Sequence, residues 1–271
     1  MKILRVIMIT GISLTAFGTE LANAQVIVPD VPASVLTQTQ NMTLEQREAT
    51  FNVLSTTITQ ESKGGLSVDS NLKDQLIALF YQEIKADTDE VSYDMTHYNP
   101  NLEGNEDAFE SSGDEDYLQK FIDVIGSLKD PRALDLLMDP YILGTGHGAM
   151  STVAAFGDSV VARTVAAYTA AKTEHLRFLA LEVMADMTQF QENTVRDLEN
   201  LTKIEDIFLT ETSSSDYVAK IAAINGLESF IDDGAIQKIE QLSRTEPNVS
   251  VRQAAIRTRS VQLARKKLHP S

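Results

Sequence analysis

Val218-Ala219-Lys220-Ile221-Ala222-Ala223-Ile224-Asn225-Gly226-Leu227 is the stretch on which the fold turns, because it comes round again. The second copy reads Val251-Arg252-Gln253-Ala254-Ala255-Ile256-Arg257-Thr258-Arg259, beginning 33 residues after the first. Each copy is long enough for one short helix, and the interval leaves room for a turn and a second helix. A repeat of this length is a helix pair that cannot bury its apolar face alone, so copies must stack, and the expected fold is an all-α solenoid. Solenoids present extended surfaces, which directs the functional reading toward binding.

The helical period persists upstream. Leu176, Leu179, Ala180, Val183, Met184 and Met187 make the cleanest apolar stripe, and Val195, Leu198, Leu201, Ile204 and Phe208 answer it on the next element. Two small-residue helices are expected between Ala149 and Ala171, separated by Gly157-Asp158. Leu118, Phe121, Ile122, Ile125 and Leu128 form another stripe. It stops at Asp130-Pro131, where Asp suits the cap and Pro the first helical position. No stretch reads as strand.

These residues resemble HEAT-like repeats, in particular the short variety first described in phycobilisome lyases. The pattern of that family runs Val-Arg, paired alanines, Leu-Gly, Asp-Pro and then Ala-[Val/Ile]-x-x-Leu. Val251-Arg252 with Ala254-Ala255 is similar to its opening. Ile125-Gly126-Ser127-Leu128-Lys129-Asp130-Pro131-Arg132-Ala133-Leu134 is similar to its middle. Ala154-Ala155-Phe156-Gly157-Asp158 and Asp233-Gly234-Ala235-Ile236 are weaker copies, and the likeness extends over residues 117–268. It implies stacked antiparallel helix pairs serving as a scaffold or binding surface. Nothing in these motifs selects the lyase chemistry of some family members.

The remaining segments divide as follows. Residues 1–24 read as a signal peptide: Lys2 and Arg5 precede a short apolar run, and Ala22-Asn23-Ala24 is an A-x-A cleavage pattern. Export, to the periplasm or beyond the cell, is therefore expected. Residues 25–40, with two prolines, read as an extended arm. Residues 41–86 read as a helix pair, opened by a Thr43/Gln46 capping box and re-opened by Asp69 or Ser70 after Gly64-Gly65. Residues 87–116 hold eleven Asp or Glu and no Lys or Arg, the composition of a solvated loop or linker. Residues 117–271 are the repeat domain.

Charge and composition exclude several functions. The net charge is −16, and losing Lys2, Arg5 and Glu20 with the signal would make it −17. Phosphate backbones need a positive surface, so nucleic acid is not an expected partner, whereas cationic partners are favoured. There is no cysteine, which removes disulfides, thiol nucleophiles and Cys-based zinc sites. No segment beyond the leader has the ~20 apolar residues of a membrane span.

No residue is assigned a catalytic, cofactor-binding or metal-ligating role. Asn99 to Glu110 has oxygen-bearing side chains at positions 1, 3, 5 and 9, Gly at 6 and Glu at 12, the spacing of a calcium loop. Its first position is Asn, however, Pro100 stiffens its entry, and Glu106 stands where an apolar residue packs. His97, His147, His175 and His269 show no metal-face spacing, and no Gly-x-Ser-x-Gly occurs. From Arg252 onward the chain turns basic, with Arg257, Arg259, Arg265, Lys266 and Lys267 and no acid. A capping helix whose cations sit near its C-terminal dipole accounts for this, with an anion-binding patch as the other reading. The expected protein is an exported scaffold or adaptor for a protein partner. The alternatives are a lyase or hydrolase using His97, Asp94 and Glu103 in a groove, and a calcium-regulated adaptor working through the acidic segment.

Overall fold

A computed structural model describes residues 26–63, 67–97, 115–144, 148–189 and 194–268. The described chain is all-helical and forms two compact units, Met1–Thr152 and Val153–Ser271.

The first unit contains α1 (Ala33–Gln40), α2 (Leu44–Lys63), α3 (Ser70–His97), α4 (Glu115–Leu128), a 3-10 turn (Pro131–Ala133), α5 (Leu134–Leu137) and α6 (Pro140–Gly144). α7 (Ala149–Ala154) crosses into the second unit. The capping box forms as expected. The Thr43 N–H donates to Gln46 Oε1 at 2.9 Å, and the Gln46 N–H donates to Thr43 Oγ1 at 3.3 Å. Asp69 takes the next cap, accepting from the Asn71 N–H at 2.8 Å. α1, α2, α4, α5 and α6 all pack on α3. The core between α2, α3 and α4 is aromatic: Phe51 stacks on Phe121 at 3.9 Å between centroids, Phe80 lies 5.7 Å from Phe121, and Tyr117 meets Phe121 edge-on at 5.0 Å. At Asp130-Pro131 the Asp130 carboxylate accepts from the Arg132 N–H, and the Arg132 guanidinium reaches both Asp130 (2.7 Å) and Asp74 (2.6 Å). One arginine thus ties this turn to α3.

Three expectations are corrected here. The arm at residues 25–40 is not extended throughout: Ala33–Gln40 is helical and packs on α3, with Thr39 and Val26 buried. An isolated eight-residue helix is unstable in water, so its stability comes from that packing, which local sequence does not display. The acidic stretch is not loop from Asp87: α3 continues to His97, because neither Gly nor Pro interrupts it before Pro100, and α4 already begins at Glu115. Leu198, placed in an apolar stripe, is exposed at 76%, as is the helix-opening Leu44 at 54%. Each is the first residue of its helix, still outside the packed turns.

The second unit continues with α8 (Asp158–Ala170), α9 (Glu174–Gln189), α10 (Leu198–Glu211), α11 (Tyr217–Gly226), a 3-10 turn (Leu227–Ser229), α12 (Asp233–Thr245) and α13 (Val249–Leu268). α9 packs on α11 and α11 on α13, while α8, α10 and α12 back α9, α11 and α13 respectively. Gly157 separates α7 from α8 at φ +62°, and a Cβ there would lie 2.3 Å from the Thr194 carbonyl oxygen. Only glycine suits that junction. No described helix is long and apolar enough to cross a membrane.

Candidate binding face

Each helix in the run α9, α11, α13 starts or is backed by a start at a polar cap, and the caps set its axial position. Asp197 accepts from the Glu199 and Asn200 N–H groups at 2.8 and 3.2 Å, and Asp216 from Val218 at 2.8 Å. Asp232 accepts from Gly234 and Ala235 at 2.8 and 3.0 Å, and Asn248 Oδ1 from Ser250 at 2.9 Å. These bonds satisfy amides that a helix start leaves without partners. At the far end of α11, Gly226 lets the Phe208 ring of α10 approach until an added Cβ would lie 2.3 Å from its Cζ. The backing helix and the layer helix are thereby pressed together.

Burial leaves one narrow stripe on each inner helix. On α9, Leu179, Val183, Met184 and Met187 are buried, while Phe178, Glu182, Asp186 and Gln189 are half-buried along one face. On α11 the half-buried residues at the same helical spacing are Val218, Ile221 and Asn225. On α13 the exposed row is Gln253, Arg257 and Ser260. A polar ladder joins the three stripes. Gln189 Nε2 donates to the Asn225 carbonyl, and Arg257 Nη2 donates to Asn225 Oδ1 at 2.9 Å. Gln189, Asn225 and Arg257 thus stand side by side on neighbouring helices.

The α9 end of this face is acidic. Burial, and then the neighbouring charge of Asp186, pushes the Glu182 carboxyl up to about 7. Burial also raises Asp186. The two carboxyls are one helical turn apart, where like charges repel. Neither has a cationic partner among the described residues.

Behind the face, α8, α9 and α10 are pinned by a buried group. Tyr168 Oη donates to Glu211 Oε1 at 2.6 Å, and Arg177 Nη1 stands 4.0 Å from the same oxygen. Burial, the bond to Glu211 and that carboxylate's charge push the Tyr168 phenol up to about 12. Burial holds the nearby His175 down to about 4, so it is neutral at pH 7. A second carboxyl contact joins α10 to the start of α12. Glu205 is pushed up to about 7 by burial, then by its hydrogen bond to Asp232 and by the charges of Asp232 and Asp206. Burial opposes ionisation of Asp232, but the Glu205 bond and the Ala235 and Gly234 amides hold it below the usual carboxylate range.

The sequence candidates fall largely elsewhere. Residues 1–24, the Asn99–Glu110 segment, Glu103, His147 and His269 lie outside the described residues. Asp94 and His97 sit in the last turns of α3, with side chains likewise outside them. Among the described residues no three His, Asp or Glu side chains are gathered as a metal would need. Three of the α13 cations act as a clasp within the unit. Arg259 pairs with Glu240 at 3.1 Å, Lys266 with Asp233 at 2.7 Å, and Arg265 donates to Ser229 Oγ at 3.1 Å. Gln262, fully buried, donates to the Leu227 and Phe230 carbonyls at 2.9 Å. Sequence reasoning missed the Glu182/Asp186 pair and the Tyr168–Glu211 pin. The first had a signal, two acids at i, i+4 across from the α9 apolar stripe; the second joins residues too distant in sequence to be paired.

Compared with protein-family models, characterised proteins and solved structures, the chain matches none.

Proposed function

We propose that this is an exported HEAT-like repeat protein, a short α-solenoid that binds a protein partner on the shared face of α9, α11 and α13. The observation that carries the reading is the Gln189–Asn225–Arg257 ladder. Its rungs are 36 and 32 residues apart, close to the 33-residue repeat, as equivalent positions of stacked helix pairs would be. Side-by-side packing of every second helix, each backed by the one before it, supports the same architecture. The face itself has the make-up of a contact surface: half-buried apolar groups (Phe178, Val218, Ile221) beside charges that lack counter-ions among the described residues. Export rests on the leader at residues 1–24.

Site-specific photo-crosslinking tests the contact face. A photoreactive residue at Ile221 should capture one discrete partner in producing cells, and the same residue at the exposed Thr202 on the backing helix α10 should not. Equal capture at both positions, or none at Ile221, contradicts the assignment.

A further inference from the structure

The run α9, α11, α13 stops at a helix whose outer side is built like the sides already covered. Val249, Ile256 and Leu263 recur every seventh residue along α13 and are exposed at 56%, 50% and 38%. The side that packs inward is formed by Val251, Ala254, Ala255, Thr258 and Gln262, all buried. At 3.6 residues per turn the exposed row lies on the far side of the helix from these residues. Residues seven apart fall on nearly the same line, about 10.5 Å from one to the next, so the three form an apolar row along the helix with polar residues between them. Ser260 and Lys267 border it on one side, Arg252, Arg259 and Lys266 on the other.

Charge selects the occupant. α13 carries six cations and no acidic residue. Two of the six, Arg259 and Lys266, are matched by carboxylates. Arg252 donates to the Glu246 and Pro247 carbonyls, Arg257 to an amide oxygen and Arg265 to a hydroxyl, so among the described residues no carboxylate pairs with these positive charges, nor with that of Lys267. A second copy of α13 would bring only more cations to the seam, and like charges across a helix pair are repulsive. An anionic membrane would meet the remainder of a molecule whose net charge is −16.

We infer that the outer side of α13 is a second docking surface, and that it takes an acidic amphipathic helix of another protein, laid along Val249, Ile256 and Leu263. The partner's apolar row would fill the seam while its carboxylates face Arg252 and Lys267. This surface is distinct from the shared face of the three inner helices and does not depend on what that face binds.

Two designed helical peptides with one apolar seven-residue row, one flanked by glutamates and the other by lysines, are titrated calorimetrically into the full chain. The glutamate peptide should bind. The Ile256→Ser/Leu263→Ser variant should weaken it by at least about five-fold, the loss of a contact anchor, and Lys267→Glu should weaken it less. All three sites are exposed, so the melting temperature should hold, which separates lost binding from lost folding. Failure of the glutamate peptide to bind, or equal binding of the lysine peptide, overturns the proposal. So does a dimer that Ile256→Ser/Leu263→Ser dissolves, which makes a second copy the occupant, or adsorption to phosphatidylglycerol vesicles lost in that variant, which makes it a membrane.

Discussion

In the first unit α3 is the element on which five other helices pack, and its core centres on one ring, Phe121, touched by Phe51, Phe80 and Tyr117. In the second unit no helix holds such a place. Burial there is passed from neighbour to neighbour through α9, α11 and α13, and alanines (Ala180, Ala219, Ala222, Ala223, Ala254 and Ala255) recur among the larger buried side chains. A hub concentrates stability in a few large side chains. A layer distributes it over repeated close approaches, leaves one stripe per helix uncovered, and ends in an open edge.

The difference can be broken most severely at the hub. Phe121→Ala should cost about 3–5 kcal/mol, through lost burial and the cavity left at the meeting point of three rings. Chemical denaturation monitored by circular dichroism reads it. Leu179→Ala in the layer should cost less, about 2–4 kcal/mol, because its neighbours can close in from one side. If that variant melted like the parent, the inner face of α9 would be misassigned. Gly226→Ala should cost about 1–3 kcal/mol by driving a methyl into the Phe208 ring, which presses the backing helix on the layer helix. Removing the α11 cap with Asp216→Ala should cost about 1 kcal/mol.

The smallest effect concerns pH. Glu182 and Glu205 bind protons more tightly folded, at about 7, than at their ordinary value of 4.5. The stability they contribute is therefore complete below pH 4.5 and is lost as pH rises toward 7. Glu182→Gln should flatten the fall in melting temperature across that interval and leave the acid end unchanged. A parallel curve for the variant would place Glu182 in water.

How far the sequence disclosed this follows from the range of each interaction. Periodicity located the α9 stripe, the capping box at Thr43 and the Asp130-Pro131 turn, because each is written within a few consecutive residues. It missed α1, whose helix depends on docking to α3, and it ended α3 at the acids although no breaker stood there before Pro100. The Tyr168–Glu211 pin spans 43 residues and two helices, and the Gln189–Asn225–Arg257 ladder exists only once three helices lie side by side. Neither leaves a local trace. The basic tail was legible from charge alone, yet the partners of its cations, Glu240 and Asp233, required the packed structure.

Both proposed surfaces rest on α9, α11 and α13 forming one layer, and the absence of native cysteine makes that directly measurable. Cysteine pairs would be placed at Gln189 with Asn225, at Asn225 with Arg257 and, as control, at Gln189 with Thr202 on α10, then treated with a short bismaleimide. The layer predicts efficient intramolecular linkage of the first two pairs and none of the third. Linkage of Gln189 to Thr202, with Asn225 and Arg257 left unlinked, would contradict it.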